Sequence, residues 1–235
     1  MRKVVIINHS SLVGRDDVAR CVTALQTQVL RDFAPLWGID AELRMGEAPA
    51  EDEEPLYLLD DAAQADGLGF HARTSADRPC GFVLVRPCLE VGDSWQGTAS
   101  HELLEMLADP LVNLAAEGVH LGRPALFALE VCDPVENDEY EIAGLAMSNF
   151  VLPTWFVPGS PDDAWVDFLG RLADPFTLSP GGYASYCTEL GRWQQWFAKR
   201  CPKHQRQPRA YSRRRRRCPS GQWTVGSGQK TRAIT

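Results

Sequence analysis

The segment "SWQGTASHELLEMLADP", Ser94 to Pro110, limits the fold more than any other part of the chain. Ser94 suits a helix N-cap, and the helix must stop at Asp109-Pro110 because a residue preceding proline avoids the helical region. Leu103, Leu104, Met106 and Leu107 demand burial, yet His101, Glu102 and Glu105 are interleaved with them. At about 100° per residue, positions 101 and 105 lie about 40° apart and one turn above each other, so His101 and Glu105 project side by side. A histidine and two acids beside such an apolar surface are costly unless they are solvated in a cleft, paired or metal-bound.

Around this helix the chain reads as α+β. "KVVIIN" (3–8) is a β-branched strand, and Val18, Cys21, Val22, Leu25, Val29, Leu30 and Phe33 carry helical spacing from Asp16 to about Trp37. Gly38 fits the C-terminal cap of that helix. Strands are expected at "DAELRMG", "LYLLD", "GFVLVRP" (81–87), "ALFALEVCDP" and "YEIAGLAMSNFVLPTWF", the last two joined by the acidic turn "VENDE". A short helix is expected at Asp163–Leu172 within an otherwise loop-rich stretch. These elements make one domain over residues 1–198.

Charge marks the end of that domain. Residues 198–235 hold 12 of the 24 Lys and Arg and no Asp or Glu, leaving 12 − 31 = −19 for residues 1–197. So acidic a body suits cations and disfavours nucleic acid as its own partner. Residues 199–235, with "RRRRR" at 213–217, read as a disordered basic tail, a solvated extension in the first place and, as the alternative, the one segment through which nucleic acid could associate.

The seven cysteines are irregularly spaced without a CxxC pair, which indicates reduced thiols rather than a disulfide framework or a cysteine zinc site. No apolar run approaches the length of a membrane span, and the opening segment is too short and too β-branched for a signal peptide, so a cytoplasmic protein without a membrane partner is expected. No GxSxG, P-loop or GxGxxG motif is present.

His101-Glu102-x-x-Glu105 resembles the HExxH active-site helix of the zincin metallopeptidases, in which the motif supplies two metal ligands and the general base. The order of strand, long helix, strands and motif helix is similar to the minimal zincin core. "SHELLEMLADP" followed by "EVCDP" also resembles a group of uncharacterised bacterial proteins, and more loosely the exordium-type plant proteins. The resemblance implies a zincin-like α+β domain with a mixed sheet and a motif-bearing helix. It implies His101 as a ligand and Glu102 as the base; Glu105 departs from the pattern by replacing the second histidine.

A further ligand is expected from "LEVCDPVEND", where Glu130 and Asp133 are favoured over Glu136 and Asp138 because they stand at a strand's end rather than in the open turn. One histidine with two carboxylates would neutralise a divalent ion, zinc in the first place, with manganese or calcium also admitted by an oxygen-rich set. The expected function is therefore metal-dependent hydrolysis of a peptide or small amide substrate. The competing expectation is a zincin-like protein without catalysis, held together by a structural metal or an ion-pair cluster. His71 reads as a surface loop histidine, with a place lining the same cleft as the alternative, His9 and His120 as loop histidines, Cys132 as a buried structural thiol, and Tyr140, Tyr183 and Tyr186 as undifferentiated candidates for an oxyanion contact.

Overall fold

The computed structural model describes residues 1–62, 67–159, 161, 164–188, 191–198, 223–225 and 232–234. The fold is α+β with a mixed sheet and few helices. Its contacts divide between two units, one made of Met1–Leu111 and Glu139–Ser148, the other of Val112–Asp138 and the described residues that follow Ser148 up to residue 198 together with 223–225 and 232–234.

In the first unit the β-branched opening becomes the central strand β1 (Arg2–Asn8), whose consecutive residues Val4 to Ile7 are all buried, as a strand covered on both faces requires. Helix α1 (Arg15–Thr27) runs on through a π-helical stretch, Gln28–Phe33, into α2 (Ala34–Trp37). The continuous helix therefore ends where the periodicity does, at Gly38, which takes the left-handed cap conformation with φ 67°. Strands β2 (Ala41–Gly46), β3 (Glu54–Leu59), β4 (Gly69–Arg73) and β5 (Pro79–Leu84) complete a sheet of order β2-β1-β3-β5-β4. All neighbours pair in parallel except β4, which runs antiparallel to β5 at the sheet edge.

The expected strand at 81–87 stops at Leu84, and Val85 opens α3 (Val85–Val91). Pro87 then falls in the first helical turn, where a missing N–H costs no intrahelical bond. The motif helix α4 (Trp95–Ala108) follows and packs against β4 and β5.

The second unit begins with a hairpin of β6 (Leu114–His120), which the sequence did not indicate, and β7 (Arg123–Ala128), where the strand expected at "ALFALEVCDP" begins two residues earlier and stops at Ala128. The chain then returns to the first unit for the short hairpin β8 (Glu139–Ile142) and β9 (Leu145–Ser148). Ala143 and Gly144 both have positive φ, 52° and 76°, the pairing that a type I′ hairpin turn needs. β9 lies against α4.

Within the second unit β10 (Tyr183–Thr188) and β11 (Trp193–Phe197) extend the sheet beyond β7. Phe127 sits in the core with ring centroids 4.7 Å from Phe176 and 6.1 Å from Trp155. "PTWF" forms a 3-10 turn rather than strand, because Pro153 supplies no ladder donor. Residues 164–172 are not helical; Asp167 instead bridges to Val151, and its carboxylate accepts from Asn149 Nδ2 and the Leu172 N–H at 2.8 Å. Residue 163, where a helix was expected to begin, lies outside the described residues. So does most of the basic tail; of residues 199–235 only 223–225 and 232–234 are described, as strand β12, parallel to β6, and strand β13, antiparallel to β12. No helix of the described residues is long and apolar enough to cross a membrane.

Candidate metal centre

Helix α4 starts as its sequence indicates: the Ser94 hydroxyl accepts a hydrogen bond from the Gly97 N–H at 3.1 Å. It is enclosed on all sides, since Trp95 and every residue from Gly97 to Ala108 are buried. His101, Glu102 and Glu105 are therefore interior groups, exposed by 1%, 2% and 4%. His101 Nε2 lies 3.2 Å from Glu105 Oε1, the side-by-side arrangement expected one helical turn apart.

The edge strand β4 closes the site from the side. Its alternating burial sets Gly69 and His71 on one face, while Phe70, on the other, stacks on Phe82 with centroids 4.6 Å apart. His71 is buried, in contrast to its reading as a loop histidine. Its Nδ1 lies 3.6 Å from Glu105 Oε2 and 3.8 Å from Glu102 Oε2. The sequence signal that could have found it is the period-two pattern of Gly69-Phe70-His71, which a strand turns into one polar and one apolar face.

Two carboxylates and two imidazoles thus converge in the interior, where an isolated ionised carboxylate is not tolerated. Burial alone would lower the His71 pKa, but its contact with Glu102 and the charges of Glu105, Glu102 and Asp109 outweigh it and raise the pKa above the usual value. The ligand atoms of His71 and Glu105, and of His101 and Glu105, also lie within 4.8 Å of each other. A buried set of this composition is compatible with a divalent metal ion.

The motif helix is anchored just before His101. Ser100 Oγ donates to Gln28 Oε1 at 2.7 Å and accepts from the Ser148 N–H at 3.0 Å, and Gln28 Nε2 donates to the Ser148 carbonyl at 3.0 Å. Gln28 opens the π-helical stretch, so the widened turn delivers an amide to a fully buried position. Four residues further on, Asp32 accepts from the Tyr140 hydroxyl at 2.7 Å. Burial and the Asp32 contact push the Tyr140 pKa up, so this phenol is committed to a structural partner.

Glu130 and Asp133 belong to the second unit, and both are buried. Glu130 sits in the extended segment after β7, which is held by the Val151 N–H bonding to the Val131 carbonyl at 2.7 Å. Asp133 opens a 3-10 turn, Asp133–Val135, while Glu136 and Asp138 are only partly buried. Cys132 is buried, as expected of a structural thiol. His9 is exposed beside Tyr57, and His120 packs on Tyr186 at 4.2 Å between ring centroids. Tyr183 and Tyr186 lie buried on β10.

No protein-family model, no curated protein and no solved structure matches this chain.

Proposed function

We propose that the chain is a zincin-like, metal-dependent hydrolase of peptide or amide bonds, with His101 and Glu105 as metal ligands and Glu102 as the general base. The observation that carries this reading is the burial together of His101, Glu102, Glu105 and His71, with His101–Glu105, His71–Glu105 and His71–Glu102 approaches of 3.2, 3.6 and 3.8 Å. So concentrated an acidic interior needs compensating positive charge, and a divalent ion is one source of it. Glu130 or Asp133 remains the expected additional ligand, on the sequence reading alone.

A bound ion would supply Lewis acidity and a more acidic water. The chain's own part is to place a carboxylate beside that chemistry: Glu102 points from α4 toward β4, where it can take a proton without itself being a ligand. β4 is also the terminal, antiparallel strand of its sheet, an edge on which an extended peptide can be aligned by main-chain hydrogen bonds. The order of strand, long helix, two parallel strands, antiparallel edge strand, a further parallel strand, a short helix and the motif helix supports the zincin-like assignment, and the enclosed α4 supports a site built to exclude bulk water.

The test pairs elemental analysis with a peptide-library cleavage assay. Glu102→Gln is expected to keep its metal and lose turnover, whereas His101→Ala and Glu105→Ala lose the metal. Turnover retained in Glu102→Gln would remove the base from the scheme.

The raised pKa of His71 favours a second reading, in which an imidazolium between Glu102 and Glu105 compensates the cluster without a metal and the protein is not an enzyme. That reading expects thermal melts indifferent to chelator and no cleavage of any library member.

A further inference from the structure

The two oxygens of Glu105 face different histidines. Oε1 lies 3.2 Å from His101 Nε2 and Oε2 lies 3.6 Å from His71 Nδ1. Donor atoms that share one ion at bond lengths near 2.0–2.1 Å stand roughly 3 to 3.5 Å apart, so each histidine and its facing oxygen have about the separation of a ligand pair. The carboxylate is thereby placed between two such pairs, one along α4 and one reaching across to β4.

The sequence motif explains only the first pair. His71 lies on β4, thirty residues earlier, and is brought to Glu105 by the antiparallel β4–β5 pairing and the packing of β4 on α4. A single ion on His101 and Glu105 would use one carboxylate oxygen and one histidine, and would leave the second imidazole among acids in the interior. A carboxylate bridging two ions uses both oxygens and both histidines, and two-metal sites hold their ions about 3.5–4 Å apart, a span that one carboxylate covers.

We propose that Glu105 is a bridging ligand of a dinuclear centre, with one divalent ion held by His101 and Glu105 Oε1 and a second by His71 and Glu105 Oε2. The inference rests on the metal-dependent reading above and extends it from one ion to two. Glu102, whose Oε2 stands 3.8 Å from His71 Nδ1, flanks the second position. A dinuclear centre built from oxygen and imidazole donors suits manganese as well as zinc.

The experiment is titration of the metal-free full-length chain with Mn(II), reading bound equivalents by equilibrium dialysis and the coupling between ions by low-temperature electron paramagnetic resonance. The wild type is expected to bind two equivalents with the spectrum of an exchange-coupled pair. His71→Ala should bind one, with the spectrum of an isolated ion, and His71→Gln, which keeps a polar side chain of comparable length, should do the same if the alanine variant fails to fold. Glu105→Gln should lose the coupled spectrum.

One isolated ion in the wild type, whether or not His71→Ala retains it, overturns the bridge and leaves the mononuclear reading standing. Two coupled ions in a folded His71→Ala variant overturn the role of His71, and with it the proposal. No uptake of Mn(II) or Zn(II) by the wild type overturns the metal-dependent reading itself.

Discussion

Gly69 and Glu102 share a space that admits no further carbon: a Cβ added at Gly69 would stand 2.8 Å from both Cγ and Oε1 of Glu102. The Thr98 Cγ2 methyl is equally near, so the glycine on β4 is what lets the strand lie against this part of α4. Residue type at 69 and the position of the proposed base are one structural problem.

Gly69→Ala is therefore expected to destabilise the protein by about 1–3 kcal/mol, the usual cost of overpacking. In a Glu102→Ala background two of the three close atoms are gone, and the penalty should shrink. A double-mutant cycle by chemical denaturation measures the coupling. Equal penalties in the two backgrounds would show that Thr98, not Glu102, limits the approach.

The Gln28, Ser100 and Ser148 network makes a second prediction. Gln28→Leu approximately keeps the volume but withdraws an acceptor from the Ser100 hydroxyl and a donor from the Ser148 carbonyl, both deep in the interior. At about 1–3 kcal/mol for each buried group left without its partner, the loss should exceed that of a typical surface substitution several-fold. Ser100→Ala removes the hydroxyl that Gln28 and Ser148 share. Urea unfolding of both variants checks whether the π-helical stretch secures the residue preceding His101.

Metal should appear as stability. A ligand that binds only the folded state at 100 times its Kd adds about 2.7 kcal/mol, so excess Zn(II) or Mn(II) is expected to raise the Tm of the metal-free protein and chelator to reverse the rise. His101→Ala should abolish the metal-dependent part. Identical melting curves with chelator and with metal would favour the self-compensated ion-pair cluster.

The Arg44–Glu53 ion pair gives a pH prediction away from the site. The hydrogen-bonded Arg44 guanidinium and the Ala50 N–H hold the Glu53 pKa down at about 2, against an ordinary value of 4.5. A depressed carboxylate pKa means the unfolded chain binds the proton first. The contribution of Glu53 is therefore complete above about pH 4.5 and is lost as pH falls through the folded value of about 2. Acid titration of stability should show Glu53→Gln losing ground at neutral pH and converging on the wild type as pH falls through this window.

Local chemistry accounts for what the sequence determined by itself. The Ser94 hydroxyl bonding to the Gly97 N–H and the stop before Pro110 set the ends of α4; Gly38 ended the first long helix; and the 3.6-residue period placed His101 beside Glu105. Each of these depends on residues within about a turn of one another. The tertiary structure decided the rest: that α4 is buried on all sides, that "GFVLVRP" divides between β5 and α3, that Leu114–His120 is a strand, and that His71 joins the acids. The physical reason is that strand pairing has no local signature of its partner. Only the antiparallel register of β4 on β5, with α4 packed across it, turns Gly69 and His71 inward, and that register is selected by the whole sheet rather than by the five residues of β4.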